Sequence, residues 1–94
     1  MIQFEWDDAK AKSNLAKHKV SFETALRVFA DPMARAEQDR IDNGEERWQT
    51  IGMVDGHLLL LVAHTILIES VETIRIISAR RADSRERKKY EQQY

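Results

Sequence analysis

An arginine facing a histidine across a β-hairpin can hold a phosphate and act on it. The guanidinium binds the oxygens and the imidazole moves a proton. In this chain Asp55-Gly56 is a strong two-residue hairpin turn between two strand-like segments. Counting outward from that turn pairs Val54 with His57, Ile51 with Leu60 and Arg47 with His64. On this register Arg47 and His64 sit directly opposite, about 5 Å apart at Cβ, on one face of the sheet. A bulge at Gly52 would break the register. A histidine at a strand end also serves to bond a backbone carbonyl.

Other residues could join such a site. Ser78-Ala79-Arg80-Arg81 ends a strand-like run, and neighbouring arginines in a strand point to opposite faces, so at most one of the two meets Arg47 and His64. Arginine suits bidentate phosphate contact and stabilises charge that develops in a pentacoordinate transition state. Surface pairing with Asp83 or Glu86 is the structural alternative. Glu45 and Glu46 precede the Arg47 strand, where either could orient an arginine or act as a base. His18 falls at a helix C-terminus, a capping position, and His57 follows a tight turn.

These side chains need a frame. Ile2 to Trp6 alternates as a short strand, and Asp7 is an N-cap for a helix over about 8–18. Ser21 caps a second helix, whose Phe22, Ala25, Leu26 and Phe29 form an apolar stripe, and Asp31-Pro32 stops it. Strands are expected over 33–38, 47–54, 57–65 and 72–79, with Asp42-Asn43-Gly44 as a turn. Asp83 and Glu86 have capping-box spacing for a last helix ending near Gln92. The order β-α-α-β-β-β-β-α predicts an α+β fold with an antiparallel sheet. The two N-terminal helices cover one face, and the other is left partly open.

Composition narrows the function. The 94 residues make one domain, 1–94, with a thin core. There is no cysteine, and the three histidines lack metal-binding spacing, so no metal or other cofactor is expected. The longest apolar run, 58–63, is far short of a membrane span, and an acidic N-terminus is unlike a signal peptide. A cytoplasmic location with no membrane role is the natural reading. Net charge is −1, yet residues 79–94 carry six bases against three acids, a patch that attracts phosphate backbones or acidic partners.

Several segments resemble the BrnT toxins. They are Phe4-Glu5-Trp6-Asp7, then Asn14-x-x-Lys17-His18-x-Val20-Ser21-Phe22, Ala25 to Phe29 and Asp31-Pro32. They continue with Glu45-Glu46-Arg47 through Thr50-Ile51-Gly52, Val62-Ala63-His64-Thr65, and Ile74 to Ala82. The resemblance spans nearly the whole chain in order. It implies a RelE-like fold and a type II toxin–antitoxin toxin that cleaves RNA and halts translation. Its antitoxin would be BrnA-like, with a ribbon-helix-helix domain, so that operator DNA is bound only through the complex. Lys19 stands where the family commonly has glycine, at a cost of about 1 kcal/mol if that turn needs positive φ. The segment 66–71 is more apolar than a usual family loop.

On this resemblance the reaction is metal-independent attack of an RNA 2′-OH on the adjacent phosphorus. His64 is assigned proton transfer. Arg80 and Arg47 take phosphate and transition-state contacts, and Glu46 a supporting or base role. Arg81, Arg87 and Lys88 hold the RNA backbone. The same arginines would grip an acidic antitoxin segment covering the open face and the last helix. The alternative is a non-catalytic binding partner of a DNA-binding antitoxin, a degenerate toxin or co-repressor subunit.

Overall fold

Three short polar side chains start the helices of this chain. Asp7 accepts a hydrogen bond from the Lys10 N–H at 3.0 Å, and Ser21 from that of Thr24 at 3.1 Å. Asp83 and Glu86 close a full capping box, each side chain taking the other's backbone N–H. The computed structural model describes residues 1–92. Its elements are β1 (Ile2–Trp6), α1 (Asp8–His18), α2 (Phe22–Ala25), β2 (Arg35–Asp42), β3 (Glu45–Val54), β4 (Leu58–Ile68), β5 (Glu72–Arg81) and α3 (Ser84–Glu91). After α2 the chain tightens into a 3-10 turn, Leu26–Ala30, instead of continuing as the α-helix that the apolar stripe predicts.

The expected α+β architecture is present, and the sheet is mixed where an antiparallel one is expected. Strands β2 to β5 form an antiparallel meander, and β1 adds to β5 in parallel, giving the order β1-β5-β4-β3-β2. The chain leaves β1 through two helices before the meander begins. It therefore returns to the β1 side only with its last strand, running in the same direction. Phe4 and Trp6 anchor β1 by ring contacts with Phe29 and Phe22, at centroid distances of 5.4 and 5.9 Å.

Helices α1 and α2 and the 3-10 turn cover one face. Val20, Phe22, Ala25 and Val28 are buried there against Val54, Leu60, Val62, Ile76 and Ala79. The approach is close: a Cβ on Gly52 would lie 2.8 Å from both Val28 Cβ and the Val28 carbonyl oxygen. The turn after α1 puts Lys19 at φ 60°, the left-handed conformation that glycine accepts at no steric cost. Asn43 and Gly44, both at positive φ, form the two-residue turn between β2 and β3.

Strand β1 ends beside Ile76, while β5 runs on to Arg81. The uncovered edge is closed by a side chain. Asn14 on α1 accepts from the Ala79 N–H at 3.0 Å and donates to the Ala79 carbonyl at 2.8 Å and the Val20 carbonyl at 2.9 Å. Its amide thus stands in for the next residue of a paired strand. Replacing it leaves buried backbone groups unpaired, at roughly 1–3 kcal/mol each before water relieves any of them. Asn14→Ala is expected to lower unfolding free energy by about 2–4 kcal/mol in urea titration. Asn14→Asp should cost at least as much at neutral pH, because a carboxylate would then face two carbonyls. An unchanged midpoint in both variants would remove Asn14 from this role.

Candidate nucleic-acid interface

The hairpin between β3 and β4 sets which side chains share a face. Asp55 and Gly56 turn the chain at positive φ as expected, but His57 is an extra, unpaired residue. Val54 therefore pairs with Leu58, Ile51 with Leu61, and Trp48 with His64. This one-residue offset overturns the Arg47–His64 pairing, because a shift of one position sends a side chain to the opposite face. His64 lies on the helix-covered face and Arg47 on the other.

His64 is sealed in the core, 1% exposed. Its Nε2 is 2.7 Å from the Thr50 hydroxyl, and its ring stands edge-on to Phe29 at 5.0 Å. Burial holds its pKa below the usual histidine range, against a weak contact with the Thr65 carbonyl that favours the charged form. The ring packs and hydrogen-bonds on the face opposite Arg47.

The opposite face is built in rows across the strands. Cross-strand pairing lines up Arg35, Ile51, Leu61 and Arg80 in one row, and Glu37, Gln49, Ala63 and Ser78 in the next. Beyond a bulge at Asp39, Arg40 pairs with Arg47, and Arg75 lies on the same face of β5 opposite Thr65. Two arginine-bearing cationic rows, with Arg75 paired to Glu5 in one and Arg35 to Glu37 beside the other, thus flank a middle row of Gln49, Ala63 and Ser78 that carries Glu37 at its β2 end. The Arg47 and Arg80 backbones are about 16 Å apart, from four residues along β3 and two strand spacings.

Helix α3 roofs one end of this face. Three polar contacts hold it: Arg80 with Glu86 in a two-pronged pair at 2.8 and 2.9 Å, Lys89 with Glu37 at 3.0 Å, and the Tyr90 hydroxyl on Asp31 at 2.5 Å. Arg80 lowers the Glu86 pKa and is itself held protonated by that carboxylate. Partial burial opposes the charge of Asp31, but hydrogen bonds from Tyr90 and from the Met53 and Met33 N–H groups outweigh it, so its pKa also lies low. Among the described residues Arg47 keeps only long contacts, 3.5 Å to Asp42 and 4.0 Å to Glu45, and its buried Nε has no hydrogen-bond partner.

The family model described as the ribonuclease toxin BrnT of type II toxin–antitoxin systems matches residues 6–86. The chain belongs to the BrnT family. Among solved structures it is similar to the Brucella abortus ribonuclease toxin BrnT, with a TM-score of 0.70 and 25% identity over 89% of this chain and 100% of that one. No curated protein matches it in sequence. The BrnT family accounts for a ribonuclease toxin with an antitoxin partner and RNA as substrate. No described helix is long and apolar enough to cross a membrane.

On this BrnT fold the sequence candidates separate. Arg47 and Arg80 share the open face. His64 does not, nor does Glu46, which pairs with Ile41 on the helix side of the sheet edge. Arg81 points to the helix side, near Leu15, Lys19 and Leu58, as the alternation of neighbouring arginines requires. Arg87 pairs with Glu91, and it and Lys88 lie on the exposed part of α3. Sequence reasoning missed Arg35, Arg40, Gln49, Arg85 and Lys89. The last two, four apart on α3, carried a readable signal of one shared helix face.

The titrating groups give a pH signature. The lowered pKa of buried His64 means that the unfolded chain binds its proton first, so stability falls as pH drops below about 6.5. Asp31 and Glu86 have depressed folded pKa values. Their contribution is present above about pH 4 and is lost as pH falls through the folded values. Stability is expected to fall in two stages on acidification, followed by urea midpoint. The first stage should vanish in His64→Gln, and the second should shrink in Glu86→Gln. A single acid stage identical in all three proteins would contradict this assignment.

Proposed function

We propose that this chain is an endoribonuclease that cleaves RNA on the trough between its two cationic rows. The observation that carries the reading is the placement of Arg47, Arg40 and Arg75 on one side of the trough and Arg80 and Arg35 on the other. An RNA 2′-oxygen forms a bond to the adjacent phosphorus, and the bond from phosphorus to the 5′-oxygen breaks. The 2′-OH proton goes to a base, and the leaving 5′-oxygen takes one from an acid or water. Arg80 binds the reacting phosphate and stabilises its developing charge. Arg47, whose terminal guanidinium nitrogen makes long ion-pair contacts to Asp42 and Glu45, holds a neighbouring phosphate. Glu86 is the carboxylate beside Arg80 and is the proton acceptor that the groove offers.

This division of labour moves proton transfer away from His64 and Glu46. His64 acts through the strand it anchors, by its bond to Thr50 and its packing on Phe29. Arg87 and Lys88 supply long-range attraction from the rim, and Arg81 serves the helix side. No step draws on a metal or cofactor.

In the cell this activity would inhibit translation in the cytoplasm. An acidic segment of a BrnA-like ribbon-helix-helix antitoxin would cover the trough and α3, and the complex would bind operator DNA to repress its own operon. The many arginines on that face support such an acidic partner as well as RNA. Association should therefore slow as salt rises, because the Debye length shrinks to about 3 Å at 1 M.

The decisive experiment is product chemistry with purified protein. RNA cut by the wild-type chain should carry 2′,3′-cyclic phosphate and 5′-hydroxyl ends. Arg80→Ala should lower kcat by about 10²-fold or more while remaining folded. His64→Gln should retain activity in proportion to its folded fraction, whereas a proton-transfer role would abolish activity in a folded protein. Intact RNA after incubation with folded wild-type protein that still binds antitoxin would favour the non-catalytic alternative.

A further inference from the structure

Beneath α3 the trough deepens into a cavity of about 170 Å³. Its floor is Ile51 and Leu61, and its walls include Arg35, Arg85, Glu37 and Glu86. Gln49 lines it from the middle row, and its amide makes no hydrogen bond among the described residues. Lys89 closes one side through its pair with Glu37.

The chemistry of this cavity is unlike that of a phosphate site. Two carboxylates line it, and both are held ionised by their partners: Glu37 by Lys89 and Glu86 by Arg80. A phosphate placed there would meet these two carboxylates along with Arg35, Arg85 and Lys89, and Arg35 and Lys89 are already paired with Glu37. The apolar floor favours a flat, uncharged ring, and guanidinium planes at the wall can stack on it. The free amide of Gln49 offers a donor and an acceptor side by side. That pattern matches a base edge with an adjacent acceptor and amino group, and adenine is the base that glutamine reads in two-point fashion. Glu86 joins the cavity to Arg80, so a base seated here lies next to the phosphate that Arg80 would hold.

We infer that the cavity under α3 is a nucleobase subsite that selects adenine beside the cleaved phosphate, with Gln49 reading the base edge. The inference rests on the ribonuclease reading for the position of the cut, but the base preference itself does not require cleavage. Arg35 and Arg85 stack on the base from the two sides of the cavity. Ile51 and Leu61 exclude water beneath it.

Two measurements test the subsite separately from the catalysis. In the first, uridine oligonucleotides with a 2′-fluoro group at every position, which cannot be cleaved, carry either one central adenine or one abasic residue. Fluorescence anisotropy should show the adenine oligonucleotide binding at least tenfold tighter than the abasic one, and Gln49→Ala should reduce that ratio to below threefold. Equal binding of the two by the wild-type protein, or a ratio unchanged in Gln49→Ala, overturns the subsite. In the second, sequencing of 5′-hydroxyl ends from a random RNA pool should show adenine enriched beside the cut, with the enrichment lost in Gln49→Ala. Tighter binding of the adenine than of the abasic oligonucleotide, lost in Gln49→Ala, without any cut would overturn the ribonuclease reading and leave the subsite standing. Cutting without base bias would do the reverse. Circular dichroism melting of Gln49→Ala confirms that a lost ratio is not lost fold.

Discussion

The two-point contact between the Asn14 side chain and the Ala79 backbone is the constraint that holds the open face in place. A strand that outruns its neighbour leaves an N–H and a carbonyl pointing at nothing, and burying them unpaired costs more than any surface ion pair in this chain returns. Asn14 answers both groups and ties the Val20 carbonyl of the turn before α2 to the same amide. Helix α1, that turn and the end of β5 are thereby fixed to one another. Arg80 is the next residue, and its backbone direction is settled by this contact before its side chain meets Glu86.

Two local irregularities then decide which residues meet. His57 adds one residue to the β3–β4 hairpin, and β5 gains one opposite the Ala63–His64 step. Each flips the side-chain alternation of the strand beyond it. The first places His64 among core rings instead of beside Arg47. The second lets Ile74, Ile76 and Ala79 all face the helices, though their spacing is not a strict alternation, and leaves Arg80 on the open side with Leu61.

The roof over the cavity depends on cooperation among weak contacts. Each ion pair under α3 is at least partly exposed and contributes little alone. Together with burial of Ile51 and Leu59 they hold a short, highly charged helix with no buried residue of its own. The same arrangement leaves cations in excess along the trough, while Glu37 and Glu86 put negative charge at one point. A polyanion can cross the trough above a cavity whose Arg35 and Lys89 are already engaged by Glu37.

Caps, turns and element order were legible in the amino acids before any fold was known. Asp7, Ser21 and the Asp83–Glu86 box act through backbone groups within one turn, so their effect is local. The alternation of Arg80 and Arg81 was legible for the same reason. The left-handed turn at Lys19 was visible only through its departure from the BrnT pattern. The parallel placement of β1, the offset at His57 and the burial of His64 emerged only when distant segments packed together. Around the hairpin, over 51–54 and 58–63, the two strands are apolar on both faces and carry no alternation to fix their register. With the register open, the sequence could name the arginines but not the face they share, and Gln49 became visible only once β3 and α3 enclosed a cavity around it.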